Sequence, residues 1–180
     1  MFKTLATKYI TKHPYFTSRE DAYQTPLGKI VDPYFVVEMP SSACAMAITA
    51  DHQMIFAEQY RHPIGQTILE LPGGFIEPGE DEKSGIAREL LEETGYAFSN
   101  IHHLGITAAN PGVLNNFTHL FIATGGQKMQ EQSLDKNEEI SLVLKSLHEA
   151  HELLLQNKIV QSMHALCMFY GFHYLASYKS

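Results

Sequence analysis

Three short runs of apolar and β-branched residues follow one another closely after residue 40. They span residues 43–50, 54–60 and 67–71, and each is bounded by Asp, His, Pro or Gly. Runs of this length between turn-forming residues are typical of β-strands. We therefore predict three consecutive strands, followed by a strand end or a loop at residues 71–74.

The period of the pattern changes between residues 81 and 94. Ile86, Ala87, Leu90 and Leu91 recur at the spacing of one helical face. Gly95 follows them, and glycine commonly ends a helix because it adopts the left-handed conformation without strain. The segment 81–94 is therefore predicted to form a helix with one apolar face.

The rest of the chain contains further strand-like and helix-like segments. The predicted strands are 101–107, 117–124 and 140–145, and the predicted helices are 147–155 and 159–178. The last helix is apolar on nearly every side, so we expect it to be buried against the core or a second subunit. This order of elements predicts an α/β (α+β) sandwich in which a mixed sheet lies between helices.

The first 40 residues differ from the rest of the chain. They are rich in aromatic residues and contain the turn signal Thr25-Pro26-Leu27-Gly28. Strand-like runs at 15–23 and 30–38 flank this turn and predict a hairpin or a meander. We therefore expect an N-terminal β region at 1–40 and a main domain at 41–180.

Composition narrows the class of protein. The 180 residues are 44% hydrophobic and 18% charged, as in a globular domain. The net charge of -7 argues against a general nucleic-acid binder, because such proteins neutralise phosphates with Lys and Arg. No segment has the roughly 18 apolar residues of a membrane span, and no signal-peptide region is visible. Cys44 and Cys167 are expected to be buried, reduced thiols of a cytoplasmic protein.

A cluster of acidic residues lies on the predicted helix. Glu89, Glu92 and Glu93 share one face at positions i, i+3 and i+4. Like charges at this spacing weaken an isolated helix, which suggests a compensating cation, and carboxylates favour Mg²⁺ or Mn²⁺. Arg88 can pair with Glu92, and Glu80 can join from the preceding loop. The alternative is a solvated helix face held together by ion pairs.

A longer pattern favours the metal site. The sequence fits Gly-x5-Glu-x7-Arg-Glu-Leu-x-Glu-Glu-x-Gly at every fixed position from Gly74 to Gly95. This pattern resembles the signature of the Nudix hydrolases. Tyr96 replaces the aliphatic residue that usually follows, and its ring can fill the same packing role. The resemblance extends over about residues 8 to 170 and is strongest from 54 to 124.

The resemblance implies a fold and a chemistry. The fold is a mixed sheet sandwiched by helices, and the chemistry is hydrolysis of a nucleoside diphosphate linked to another moiety. Glu89, Glu92, Glu93 and the backbone carbonyl of Gly73 would bind the divalent metal, which is Mg²⁺ or, as a substitute, Mn²⁺. Glu92 and Arg88 are also candidate catalytic residues. Glu80 would support the loop or bind a further ion.

Features outside the signature resemble the ADP-ribose pyrophosphatase branch of that family. Pro111 lies near the position of a proline that marks this branch. The runs EQYRHP and ELPGG resemble the strand pair that leads to the signature there. By this resemblance Arg61 would contact the substrate phosphates, and Glu70 and Pro111 are further candidates for substrate binding. The alternatives are a surface ion pair between Arg61 and Glu58 and a simple turn at Pro111.

The same branch suggests roles for a loop glutamate and for an N-terminal aromatic residue. Glu138, or else Glu139, would act as the general base or orient the attacking water. Tyr34, or else Phe35, would stack on the base of the substrate. The alternatives are a solvated acidic loop and a core aromatic. Early strands are exchanged between subunits in this branch, which implies a homodimer.

Together these resemblances imply an Mg²⁺-dependent pyrophosphatase of nucleoside diphosphate sugars. ADP-ribose, giving AMP and ribose 5-phosphate, is the first candidate, and GDP-mannose or another sugar nucleotide is the nearest alternative. A pyrophosphohydrolase of RNA 5′ ends is disfavoured by the negative charge. A non-catalytic ADP-ribose sensor is disfavoured by the intact signature. No nucleic-acid or membrane partner is expected.

The ten histidines show no zinc-site spacing and are predicted to be surface or packing residues.

Overall fold

The computed structural model describes residues 1–13 and 16–177. Tyr15 and Tyr178, where two predicted elements begin or end, lie outside these residues. The described strands are β1 Lys3–His13, β2 Phe16–Gln24, β3 Ile30–Glu38, β4 Ser42–Thr49, β5 Gln53–Arg61, β6 Gln66–Glu70, β7 Tyr96–Ala97, β8 Asn100–Thr107, β9 Thr118–Lys128 and β10 Ile140–Ser146. The described α-helices are α1 Glu82–Thr94, α2 Leu147–Leu155 and α3 Ser162–Ser177, and a short 3-10 helix spans His62–Ile64.

The chain divides into two compact units, which are described separately. The first unit comprises Met1–Ser41 and Ala108–Phe117, and the second comprises Ser42–Thr107 and Thr118–Ser180. The first contains β1 to β3, and the second contains the remaining strands and all described helices.

The first unit is a three-stranded antiparallel sheet in the order β1-β2-β3. Gly28 turns the chain between β2 and β3 with a φ of 82°, and the Thr25 amide donates to the Lys29 carbonyl at 2.8 Å. These two strands match the predicted pair. β1 was not predictable from the sequence, because nearly all of its side chains are exposed and no face shows a hydrophobic period.

The second unit is built on a mixed sheet, as predicted. Its strands follow the order β10-β5-β4-β9-β7, with β6 paired to β5 and β8 paired to β9. β4 and β9 run parallel, and the other recorded pairs are antiparallel. The short β7 was also missed, since two residues are too few to show a period.

Helices cover both faces of this sheet, so β4 is buried on both sides and its sequence is a continuous apolar run. Its alternate side chains belong to two separate cores. Small residues face α1, and larger ones face α2 and α3. The first set is Ala43, Ala45 and Ala47 with Ile86 and Leu90 of α1. The second set is Cys44, Met46 and Ile48 with Ala150 and Leu154 of α2 and Cys167 and Met168 of α3.

The apolar helix α3 is buried on one side only. Cys167, Met168 and Gly171 are buried, whereas Phe169 and Tyr170 remain 53% and 48% exposed. Cys44 and Cys167 are buried free thiols, as the sequence predicts. Within residues 1–13 and 16–177, no helix is both long and apolar enough to cross a membrane.

Candidate active site

The acidic helix α1 is fixed at both ends by its own sequence. Asp81 caps the N-terminus, where its carboxylate accepts hydrogen bonds from the amides of Lys83 and Ser84. Gly95 ends the helix in the left-handed conformation with a φ of 75°. A Cβ atom at Gly95 would lie 2.2 Å from the Gln130 carbonyl, so the close approach of that segment also requires glycine.

Two glycines bring the loop after β6 close to its neighbours. Gly73 has a φ of 147°, and a Cβ atom there would lie 2.2 Å from the Ala43 carbonyl oxygen. A Cβ atom at Gly74 would lie 2.6 Å from the carboxylate of Glu89. The Gly73 amide donates to Oε2 of Glu93 at 2.8 Å. The backbone of the loop therefore lies directly against the acidic face of α1.

Arg88 holds most of the acidic cluster together. Its guanidinium forms a bidentate ion pair with the carboxylate of Glu80, in which Nε and Nη2 each donate a hydrogen bond at 3.0 Å. Nη1 donates to both Glu89 and Glu92 at 2.9 Å, and Nη2 also reaches the Phe75 carbonyl. The predicted pair of Arg88 with Glu92 is therefore present, within a larger network. Hydrogen bonds from Arg88 lower the pKa of Glu80 below its usual value.

Glu93 and Glu89 lie in a less hydrated environment. The side chain of Glu93 is buried, and burial raises its pKa to about 8 despite the hydrogen bond from Gly73. Burial also raises the pKa of Glu89 above its usual value, although Arg88 opposes this shift. Buried carboxylates beside one another are costly when ionised, and a nearby cation lowers that cost.

The donor set fits a hard divalent cation. Glu89, Glu92, Glu93 and the carbonyl of Gly73 offer only oxygen ligands, which Mg²⁺ and Mn²⁺ prefer. In the described residues, however, no three His, Cys, Asp or Glu side chains converge closely enough to ligate one ion. The three carboxylates have other partners in the structure: Arg88 binds Glu89 and Glu92, while the Gly73 amide binds Glu93. A cation would have to share these carboxylates with Arg88.

A second charged pair lies on the strands that lead to the loop. Nε and Nη2 of Arg61 both lie 2.8 Å from Oε2 of Glu70. Glu70 is 2% exposed, and burial raises its pKa although the charge of Arg61 opposes the shift. In the described part of the chain, Nη1 of Arg61 has no protein partner, and Arg61 pairs with Glu70 rather than with Glu58.

The segment between β9 and β10 is tied to the end of α1. The side-chain amide of Gln132 donates to the carbonyls of Glu93 and Ile140, at 2.7 and 3.2 Å. The Ser133 amide donates to the Glu92 carbonyl at 2.8 Å. Glu138 accepts a hydrogen bond from the Asp135 amide at 3.1 Å. These bonds place the loop glutamate beside the acidic helix.

These elements surround one cavity of about 650 Å³, a volume typical of small-molecule sites. The sequence-predicted residues that line it are Arg61, Gly73, Arg88, Glu89, Glu92, Glu93 and Glu138. Glu70 is not among the described lining residues, but it forms an ion pair with Arg61, which is. Glu139 is exposed and is not among the described lining residues. The lining contains six acidic side chains and two arginines. An anion can therefore bind only where a cation or Arg61 compensates the negative charge of the carboxylates.

The remaining candidates belong to the first unit. The Tyr34 hydroxyl donates to the Gly112 carbonyl at 2.7 Å, and its ring meets that of Tyr23 edge-on at 5.6 Å. Phe35 is 55% exposed. Pro111 is exposed in the loop that runs beside β3. Their proposed contacts with substrate stay predictions.

Sequence reasoning missed His164, Gln59 and Asp135, which also line the cavity. His164 lies on α3, and its Nδ1 accepts a hydrogen bond from the Leu71 amide at 3.1 Å. Burial and the charge of Arg61 lower its pKa to about 3. No spacing in the sequence connects α3 with the loop after β6, so only the packing of the helix on the sheet could reveal this residue.

Comparison with known proteins agrees with this geometry. A family model described as "NUDIX domain" matches residues 39–166. The chain is 31% identical over 169 residues to the methanol dehydrogenase activator of Bacillus methanolicus, covering 93% of this chain and 91% of that protein. It is 28% identical over 174 residues to the ADP-ribose pyrophosphatase of Bacillus subtilis, covering 93% and 94%.

A solved structure supports the fold. The crystal structure of an ADP compounds hydrolase matches with a TM-score of 0.85 and covers 98% of this chain and 95% of that chain. The two sequences are only 18% identical, so this match concerns the arrangement of the elements.

Proposed function

The chain belongs to the Nudix family and is a hydrolase that acts on pyrophosphate bonds. We propose that it cleaves ADP-ribose into AMP and ribose 5-phosphate with the help of Mg²⁺. The observation that carries the proposal is the cavity in which the acidic face of α1 and Arg61 meet. Two relatives bear on the substrate. One is the ADP-ribose pyrophosphatase of Bacillus subtilis. The other is an ADP-sugar pyrophosphatase of Mus musculus, which is 39% identical over 101 residues that cover 56% of this chain and 44% of that protein.

Glu89, Glu92, Glu93 and the carbonyl of Gly73 would hold the divalent ion. When bound, Mg²⁺ neutralises phosphate charge and acidifies the attacking water. The short distance between Gly74 and Glu89 supports this role, because it leaves no room for a side chain between the loop and the carboxylate.

Arg61 would bind a phosphate oxygen with the nitrogen that Glu70 leaves free. A guanidinium that is held by a buried carboxylate keeps its orientation, which favours directed, charge-assisted hydrogen bonds. Glu138 would accept the proton of the attacking water, and Glu139 is the alternative. Water attacks one phosphorus of the diphosphate, the bridging P–O bond breaks, and each product retains one phosphate.

The residues of the first unit would contact the base of the substrate. We assign this role to Tyr34 before Phe35, with Pro111 as a further substrate contact. Y34A should then raise KM for ADP-ribose with little change in kcat, while Y34F keeps the stacking ring and serves as the control. An unchanged KM in Y34A would remove this assignment.

A homodimer is part of the proposal, with the N-terminal β region at 1–40 as its contact surface and 41–180 as the hydrolase domain. β1 is almost entirely exposed, and Leu5 and Ile10 are 46% and 55% exposed. β1 is also an edge strand of its sheet, and exposed apolar side chains together with the open backbone edge support a covering partner. I10E should yield monomers in sedimentation velocity, whereas L155E on α2, where Leu155 is 58% exposed, should not. A wild-type monomer would contradict the proposal.

The buried free thiols support a cytoplasmic location.

The central test is incubation of the purified protein with ADP-ribose and Mg²⁺, with and without EDTA. We expect AMP and ribose 5-phosphate in equal amounts, and no products with EDTA. A panel that includes GDP-mannose ranks the alternative sugar nucleotides, and competition by short RNA tests the RNA-end activity. Calorimetric binding without turnover would indicate a sensor. Metal-independent cleavage, or no cleavage of any sugar nucleotide, would overturn the proposal.

A further inference from the structure

One histidine of the cavity is held by the backbone of the loop after β6. Nδ1 of His164 on α3 accepts the hydrogen bond of the Leu71 amide, with 3.1 Å between the two nitrogens. Leu71 is 2% exposed and lies at the start of the loop that carries Gly73 and Gly74. The imidazole lines the same cavity as Arg61, Glu89 and Glu93.

This hydrogen bond fixes the tautomer of the ring. A ring nitrogen that accepts a hydrogen bond carries no proton, so the proton of the neutral imidazole lies on Nε2. Burial and the charge of Arg61 lower the pKa of His164 to about 3, which keeps the ring neutral. Among the described residues no protein acceptor is paired with Nε2.

A neutral donor suits this cavity better than a charged one. A cationic side chain near the acidic face would be drawn to the carboxylates, as Arg88 is. The guanidinium of Arg61 is the cation that the cavity offers beside His164, and it is already partly occupied by Glu70. An anionic oxygen that binds Arg61 would therefore find a second, rigidly held donor at Nε2.

We propose that His164 binds the substrate, with its Nε2–H donating a hydrogen bond to a non-bridging phosphate oxygen of the diphosphate beside Arg61. This inference rests on the proposed function, because it takes the diphosphate of a nucleotide sugar as the ligand. Hydrogen bonds to charged groups contribute enough that losing one weakens binding roughly ten- to hundredfold.

Two substitutions separate the binding role from the structural one. In H164N the amide oxygen replaces Nδ1 as the acceptor for Leu71, but the donor at Nε2 is lost. In H164Q the side-chain amide places a donor near the position that Nε2 has in the wild type. No acceptor then remains at the position of Nδ1 for the Leu71 amide. We expect H164N to melt like the wild type and to raise KM for ADP-ribose roughly tenfold or more. H164Q should recover part of that affinity at a lower melting temperature.

A purely structural histidine would give the opposite result. H164N would then have the KM of the wild type, and H164Q would lose stability without any benefit to binding; either result overturns the inference. If the wild type cleaves no sugar nucleotide, the proposed function fails instead, and a binding measurement is needed that does not depend on turnover.

NMR of the ¹⁵N-histidine-labelled protein provides this measurement. We expect His164 to show the Nε2–H tautomer and its Nε2 resonance to shift when α,β-methylene-ADP and Mg²⁺ are added. An Nδ1–H tautomer, or an Nε2 resonance that does not respond to this uncleavable diphosphate, would contradict the inference, whether or not the enzyme cleaves ADP-ribose.

Discussion

Oε2 of Glu93, in the last turn of α1, lies 2.8 Å from the backbone nitrogen of Gly73 in the loop after β6. This hydrogen bond joins the loop after β6 to α1, the two elements whose oxygen atoms we propose as metal ligands. It also orients the carboxylate of Glu93 while burial raises its pKa to about 8. The loop and the helix therefore form one unit, and changes at either should affect the other.

Glu93→Gln tests the metal-binding role of this residue. The amide oxygen can still accept the hydrogen bond from Gly73, so the fold should be kept and the melting temperature should not fall. We expect kcat to drop by several orders of magnitude with little change in KM, because a metal ligand is lost. Steady-state kinetics with ADP-ribose and Mg²⁺ measure this effect.

The control for this substitution is Glu82→Gln, in the first turn of the same helix. Glu82 is exposed, and its recorded contact is a distant pair with His119 at 3.9 Å. We expect its kinetics to match those of the wild type. Equal activity of E93Q and E82Q would contradict the role of Glu93.

Gly74→Ala tests the close approach of the loop to Glu89. The new Cβ would lie 2.6 Å from the carboxylate, which sits at the end of a flexible side chain and can move away. The fold should therefore persist, while affinity for Mn²⁺ should fall roughly ten- to hundredfold because Glu89 is displaced. Titration of Mn²⁺ measured by electron paramagnetic resonance gives the affinity.

Gly105→Ala is the matched control, because a Cβ atom there meets nothing within 4 Å. Wild-type Mn²⁺ affinity in G74A would show that Glu89 does not ligate the ion.

Arg88→Met tests the network that holds the acidic residues. Without the guanidinium, Glu80, Glu89 and Glu92 lose a shared donor and repel one another. We expect the free energy of unfolding in EDTA to fall by about 1–3 kcal/mol. Added Mg²⁺ should restore more stability to R88M than to the wild type, because the cation replaces the missing charge. Denaturant titrations with and without Mg²⁺ measure both effects, and an equal Mg²⁺ effect would contradict this reasoning.

His164 predicts a pH dependence of stability. Its pKa in the folded protein is about 3, whereas the ordinary value is 6.5. Between these two values the unfolded chain binds a proton at this histidine and the folded protein does not. The free energy of unfolding therefore decreases as the pH falls from 6.5 towards 3. The free energy of unfolding should fall more steeply in the wild type than in H164N, which cannot titrate. Denaturant titrations at pH 7, 6 and 5 compare the two.

H173N is the control for that series, because His173 lies exposed on the same helix. It should keep the steep dependence of the wild type. Parallel curves for the wild type and H164N would show that the pKa of His164 does not contribute.

The sequence by itself determined the parts of this protein that depend on local spacing. The pattern of apolar residues predicted β2 to β6, β8 to β10 and the three α-helices. The spacing of Glu89, Glu92 and Glu93 predicted a shared face on α1. The pairing of Arg88 with Glu92 was also predictable, because residues four apart on a helix are neighbours.

Only the tertiary structure decided which distant segments meet. β1 lacks a hydrophobic period because its side chains are exposed, and the pairing of β4 with β9 is non-local. Arg61 lies opposite Gln66 and Glu70 opposite Ala57 in the register of β5 and β6, so their ion pair spans four positions along the ladder and is made by the side chains. His164 reaches Leu71 because α3 packs on the sheet through residues such as Cys167 and Met168. Such contacts depend on packing between elements, which no local pattern encodes.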